Sequence, residues 1–165
     1  EMNAQQLLDC IITPTLKYMG GNYYTDNARM LLLATAAVES KCGYYIKQIG
    51  GPALGIWQME PATYDDIIDN CDAINESNIK FYNKINSLWN FNNYGVVHAL
   101  VSHPVYACAM ARLKYAMDSK PLPDHTDILA MYGYYKRIYN TPAGASTYAK
   151  FEAAYMACGL YEVKL

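Results

Sequence analysis

The stretch Arg29-Met30-Leu31-Leu32-Leu33-Ala34-Thr35-Ala36-Ala37-Val38-Glu39-Ser40 decides the fold. It is apolar on nearly every side. A helix of that composition has no face for water and belongs at the centre of a core. Thr25 or Asp26 supplies the cap that starts it, and the chain leaves the helix by Gly43. Its most apolar part, Met30 to Val38, is far too short to cross a bilayer. The one carboxylate after the apolar run is Glu39, at the rim of the expected core.

Working outward, helical spacing recurs on both sides. Leu7, Leu8, Ile11, Ile12, Leu16 and Met19 predict a helix from Asn3 to Met19, kinked or restarted by Pro14 and ended by Gly20-Gly21. Pro61 opens a helix reaching about Asn70. Ile79 to Leu88 is a weaker candidate, and Pro104 to Met117 a strong one. Asp124 or Thr126 caps a helix from Asp127 to about Ile138. A last helix runs from about Ser146 to Cys158, closed by Gly159. Between Gly50 and Met59 the chain is Gly-rich without helical period, which predicts a loop or short strands. The fold class is mainly α, with a small β or loop excursion near residues 50–59. No repeat or linker divides the chain, so residues 1–165 read as a single domain.

Composition narrows the function. The chain has 165 residues, 53% of them hydrophobic, with a formal net charge of -2. Its longest basic cluster is Lys136-Arg137, too little to track a phosphate backbone, so no nucleic-acid partner is expected. No charged segment followed by an apolar run marks a signal peptide, and no membrane partner is expected. Cys10, Cys42, Cys71, Cys108 and Cys158 contain no Cys-x-x-Cys pair and read as buried, reduced thiols. His98, His103 and His125 lack metal-ligand spacing, and no nucleophile elbow or phosphate loop occurs. Metals and cofactors are expected to be absent. The 17 tyrosines suit a surface that meets sugar rings, although most are expected to be half-buried helix residues.

Two segments carry chemistry. A carboxyl at the position of Glu39 is partly desolvated and lies at the negative end of its helix, and both effects favour the protonated form. A carboxylic acid that keeps its proton near neutral pH is the general acid a glycosidic bond needs. The bland alternative is a solvated Glu paired with Lys41. The second segment is Gly50-Gly51-Pro52-Ala53-Leu54-Gly55-Ile56-Trp57-Gln58-Met59-Glu60-Pro61-Ala62-Thr63. Its glycines let a ligand approach the backbone. Gln58 donates to and accepts from sugar hydroxyls. Trp57 either stacks on a sugar ring or fills the core.

Glu39-Ser40, followed by Gly55-Ile56-Trp57-Gln58-Met59 with Pro61 and Thr63, resembles the signature of lytic transglycosylases and goose-type lysozymes. The run from Ile49 to Asp66, and Tyr135-Lys136-Arg137-Ile138-Tyr139-Asn140-Thr141-Pro142, resemble lysozyme-like proteins encoded by phages. The resemblance spans about Arg29 to Thr147. It implies a lysozyme-like fold and cleavage of the β-1,4 bond between N-acetylmuramic acid and N-acetylglucosamine. Glu39 would be the acid, Ser40 would position substrate or loop, and Gly55, Trp57 and Gln58 would line the substrate site. Tyr135 or Tyr139 would be the tyrosine beside the acid. The family's late Ala-x-Tyr-Asn-x-Gly pattern is departed from here, because Tyr139-Asn140 is followed by Thr141-Pro142-Ala143-Gly144. The implied partners are peptidoglycan glycan strands and, for a protein carried in a phage particle, other virion proteins. The implied location is the virion or the host cytoplasm before release.

The mechanism turns on a second carboxylate. An inverting hydrolase needs a base roughly 6.5–9.5 Å from the acid. Glu60, Asp65 and Asp66 are the local candidates, Glu60 foremost; the bland role for the two aspartates is to complement the start of the Pro61 helix. Without a placed base, the substrate's N-acetyl group assists and the products carry 1,6-anhydro ends. Two rivals remain: a non-catalytic virion or wall-binding module on the same fold, and a glycosidase for chitin or chitosan.

Overall fold

The computed structural model describes residues 2–89, 95–141 and 143–165. Its centre is the helix expected there, α3 (Asp26–Ser40). Thr25, not Asp26, is the cap, its hydroxyl accepting from the Ala28 N–H at 3.1 Å. Leu31, Leu32, Leu33, Ala36 and Ala37 are all but inaccessible to water. Each fully buried leucine contributes roughly 1.5–3 kcal/mol relative to exposure. The polar groups of α3 are satisfied locally. Thr35 Oγ1 lies 2.7 Å from both the Leu31 carbonyl and the Tyr115 hydroxyl, and Arg29 reaches Asp26 and Thr13 at 3.0 Å.

The remaining helices wrap α3. The first segment is α1 (Ala4–Leu7), a π-helical turn over Leu8–Ile12, and α2 (Thr13–Met19). Pro14 restarts the helix, one of its two expected effects: the π turn widens the coil just before it and α2 begins at Thr13, so the proline sits in a first turn where its missing N–H is least costly. Next come α4 (Pro61–Asn70), α5 (Ile79–Asn86) and α6 (Val96–Ser102), the last of which the sequence reading did not assign. Then follow α7 (Pro104–Ala116), α8 (Ile128–Tyr135) and α9 (Tyr148–Ala157). α3 packs on α7, α8, α9 and the first π turn. Asp127 caps α8 by accepting from Ala130 N–H at 2.9 Å, whereas Asp124 bonds Thr126, so neither expected residue is the cap. A second π turn, Lys136–Asn140, continues α8.

No strand forms among the described residues. The excursion near residues 50–59 is a loop pinned by two isolated bridges, Lys47 with Leu54 and Leu54 with Met59. No helix among them is long and apolar enough to cross a membrane. The cysteines are only partly as expected: Cys42, Cys71 and Cys108 are buried, Cys158 is intermediate and Cys10 is exposed. Cys10 stands on the π turn between the buried Leu8 and Ile12.

Candidate functional site

Glu39 occupies the penultimate position of α3, and the end of that helix is held rigidly. Ser40 Oγ donates to the Ala36 carbonyl at 3.1 Å and accepts from Gly43 N–H at 2.9 Å. Lys41 and Cys42 both take left-handed backbone, at φ 52° and 53°. Two consecutive non-glycine residues in that region store strain, a feature that clusters at functional sites. The turn directs the chain into the 46–59 loop, which Gly55 N–H anchors to the Ile46 carbonyl at 2.8 Å.

A cleft of about 570 Å³ lies between the end of α3, this loop and the segment after α8. Glu39, Gln58, Glu60, Thr63, Tyr139 and Asn140 line it. Tyr135 donates its hydroxyl to Glu39 Oε1 at 2.6 Å. Burial pushes the Glu39 carboxyl up to about 7. The Tyr135 hydrogen bond works against that rise and the charge of Glu60 adds to it. Glu39 is therefore an acid about half protonated at neutral pH, facing a polar cleft.

The loop and the late segment are tied to α3 through one chain of bonds. Trp57 Nε1 donates to the Leu32 carbonyl at 3.0 Å, and Tyr139 donates to the Trp57 carbonyl at 2.8 Å. The rings of Tyr135 and Tyr139 stack at 6.2 Å between centroids. Both tyrosines thus belong to the site, in different roles: Tyr135 contacts the acid and Tyr139 holds the loop.

Several expected site residues are corrected. Trp57 is 1% exposed and its indole is spent on Leu32, so it fills the core and cannot stack on a ligand. Ser40 is wholly buried and fixes the turn without facing the cleft. Gly55 is buried at φ 75°, with its open side against the Leu100 carbonyl, and does not face the cleft. Gln58 does line it, its Nε2 donating to the Gly55 carbonyl at 2.8 Å. Glu60 lines it as an exposed carboxylate beside Pro61. Asp65 and Asp66 do not. Asp66 pairs with Lys114 of α7 at 3.0 Å and accepts from Asn70, which takes it out of contention.

The sequence reading missed Tyr45, Gln48 and Ile49, all on the cleft wall. Ile49 is 82% exposed, an apolar group presented at the cleft lip. The available signal was an aromatic and an amide between the end of a buried helix and the Gly-rich loop. Pro142, part of the late resemblance, lies outside the described residues.

No protein-family model matches this chain, and neither the curated proteins nor the solved structures give a significant match.

Proposed function

We propose that the protein is a peptidoglycan-cleaving glycosidase of the lytic transglycosylase or lysozyme type, with Glu39 as its acid. One observation carries the reading: a half-buried carboxyl, held by Tyr135 at 2.6 Å and raised to about 7, faces a polar cleft of about 570 Å³. Proton donation to a leaving alkoxide needs an acid tuned to that range. The resemblance of the Glu39-Ser40 and Gly55-to-Thr63 segments to that family agrees with the placement of Glu39 and Gln58.

In this reading Glu39 gives its proton to the glycosidic oxygen as the C–O bond breaks, leaving positive charge on the ring carbon and oxygen. The amides of Gln48, Gln58 and Asn140 bind hydroxyl and acetamido groups, and Ile49 meets a ring face. The Glu39 carboxylate then takes a proton from the incoming oxygen. If that oxygen is water, Glu60 is the second carboxylate on the cleft wall available to orient it. If it is the substrate's own C6 hydroxyl, the product has a 1,6-anhydro end and Glu60 serves to raise Glu39. The resemblance to phage-encoded proteins supports a role in opening the wall from a virion or at lysis.

The test is mass spectrometry of soluble products from purified peptidoglycan, with Glu39→Gln beside wild type. Anhydro ends that vanish in the variant establish the transglycosylase route, and reducing ends that vanish establish hydrolysis. Wall binding without products from either protein overturns the reading in favour of a binding module.

A further inference from the structure

Glu39 stands near the C-terminal end of α3, and at the other end of that helix lies a cavity of about 700 Å³ that shares no residue with the Glu39 cleft. Thr25 and Asn27, at the start of α3, line it together with Arg112 of α7 and with Ser119 and Lys120 of the segment that follows. Arg112 is only 6% exposed, yet among the described residues no carboxylate lies within salt-bridge distance of it. Its Nε donates to the Tyr23 carbonyl at 3.2 Å and its Nη2 to the Asn22 carbonyl at 3.3 Å, and the Tyr23 ring centroid lies 5.3 Å from the guanidinium carbon. Nη1 is buried and has no acceptor. Buried charges are ordinarily paired with opposite ones. This one meets two neutral carbonyls and the face of a ring.

The rest of the wall adds positive potential. Lys120 is exposed and, among the described residues, also has no carboxylate within salt-bridge distance. Asp118, the one acidic residue on the wall among them, is held by Arg137 at 2.7 Å. α3 is 15 residues long, and its N-terminus carries the positive end of the helix dipole. Thr25 takes up the N–H groups of Ala28 and Arg29, which leaves those of Asp26 and Asn27 without a partner inside the helix. Asp26, the acidic residue of that first turn, pairs with Arg29 and is not on the wall. Asn27 Oδ1 accepts from the His125 N–H at 2.9 Å, so what its side chain has left is an NH2 donor.

A wall that presents donors and two cations, with its own carboxylate already paired, has the chemistry that holds an oxyanion. We propose that this cavity is a binding site for a small oxyanion, a phosphate or carboxylate group, seated against the Arg112 guanidinium between Lys120 and the N-terminus of α3. The bound group supplies the negative charge that the fold does not give Arg112, and an acceptor for Nη1. The planar guanidinium favours an anion with two or more oxygens over a spherical one. The site is separate from Glu39 and does not rest on the glycosidase reading.

The test is a pair of NMR titrations, one with inorganic phosphate and one with acetate, with sodium chloride holding the ionic strength constant. Wild type, Lys120→Glu and Arg112→Gln are compared, with circular dichroism to check folding. At least one anion is expected to give saturable shifts at the Arg112 Nε–H and at the backbone amides of Asn27 and Ser119, and none at the side-chain amides of Gln58 and Asn140. Lys120→Glu weakens the affinity by about tenfold, and Arg112→Gln abolishes binding. If Arg112→Gln does not fold, Lys120→Glu, at an exposed position, decides alone. Saturation by phosphate but not acetate assigns the site to a phosphate group, the reverse assigns it to a carboxylate, and saturation by both makes it a general oxyanion site. The inference is overturned if neither anion saturates, if a folded variant binds as tightly as wild type, or if the shifts are confined to the Glu39 cleft.

Discussion

The Tyr135 hydroxyl stands 2.6 Å from Glu39 Oε1 and donates to it, and Glu60 lines the same cleft as Glu39. The two neighbours act on the acid in opposite directions. A donor stabilises the carboxylate, and a second negative charge destabilises it. Tyr135→Phe therefore raises the Glu39 pKa above about 7 and moves the alkaline limb of kcat/KM to higher pH. Glu60→Gln lowers it and moves the limb down. Limbs that stay in place in both variants would mean that Glu39 is not the group whose protonated form turns over substrate.

The same shift has a stability consequence of definite sign. Glu39 has a folded value of about 7 against an ordinary 4.5, so the native state holds its proton where the unfolded chain has lost it. Stability contributed by this group is fully present below about pH 4.5 and is lost as pH rises through 7. Glu39→Gln removes the penalty and keeps an acceptor for Tyr135. The variant should exceed wild type at pH 8 by on the order of 2–3 kcal/mol in urea unfolding. At pH 4 the difference should vanish. A variant less stable than wild type at pH 8 would contradict a desolvated Glu39.

Tyr139 acts on the chemistry from a distance. Its bond to the Trp57 carbonyl joins the late segment to the loop that carries Gln58, and Trp57 joins that loop to α3. Tyr139→Phe leaves the carbonyl unpaired, at a cost of about 1–3 kcal/mol. We expect kcat to fall by about tenfold as the loop loosens, with KM changing less. The alkaline limb should stay where it is in wild type, which separates this positioning role from that of Tyr135.

How much of this could be read from the chain depended on where the signal was local. Pro61 and Pro104 marked their helix starts because a proline there loses no internal hydrogen bond. Glu39 was legible because eight apolar residues and one threonine precede it, enough to imply burial at its base. Trp57 was not: stacking platform and core filler have the same sequence, and only the Leu32 carbonyl in space decides. The two tyrosines were undecided for a related reason. They are four residues apart and stack on one face, and a π turn between them sends one hydroxyl to Glu39 and the other to Trp57. Asp66 was read as a helix-start charge, but its partner, Lys114, is 48 residues away on α7. Lys41, which the sequence offered as a partner for Glu39, instead holds its ammonium over the rings of Tyr44 and Tyr45, 5.9 and 5.8 Å from their centroids.

Gly55 is the position where the loop is least able to change. Its backbone is at φ 75°, a region that costs any residue with a Cβ roughly 1–2 kcal/mol. An added Cβ would also run into the backbone carbonyl of Leu100, which belongs to α6 and cannot rotate aside like a side chain. Gly159 offers the matching control. It sits at φ 70°, just after α9, with open space where a Cβ would go. Gly159→Ala should cost about 1 kcal/mol, from backbone strain alone. Gly55→Ala adds overpacking of about 1–3 kcal/mol and should lower Tm by clearly more than its control. Because Gly55 N–H and carbonyl anchor Ile46 and Gln58, the same variant should lose cleavage activity out of proportion to its melting shift. Equal melting temperatures for the two alanine variants would show that Leu100 is not pressed against the loop. The close approach of α6 would then not be what sets Gln58 in the cleft.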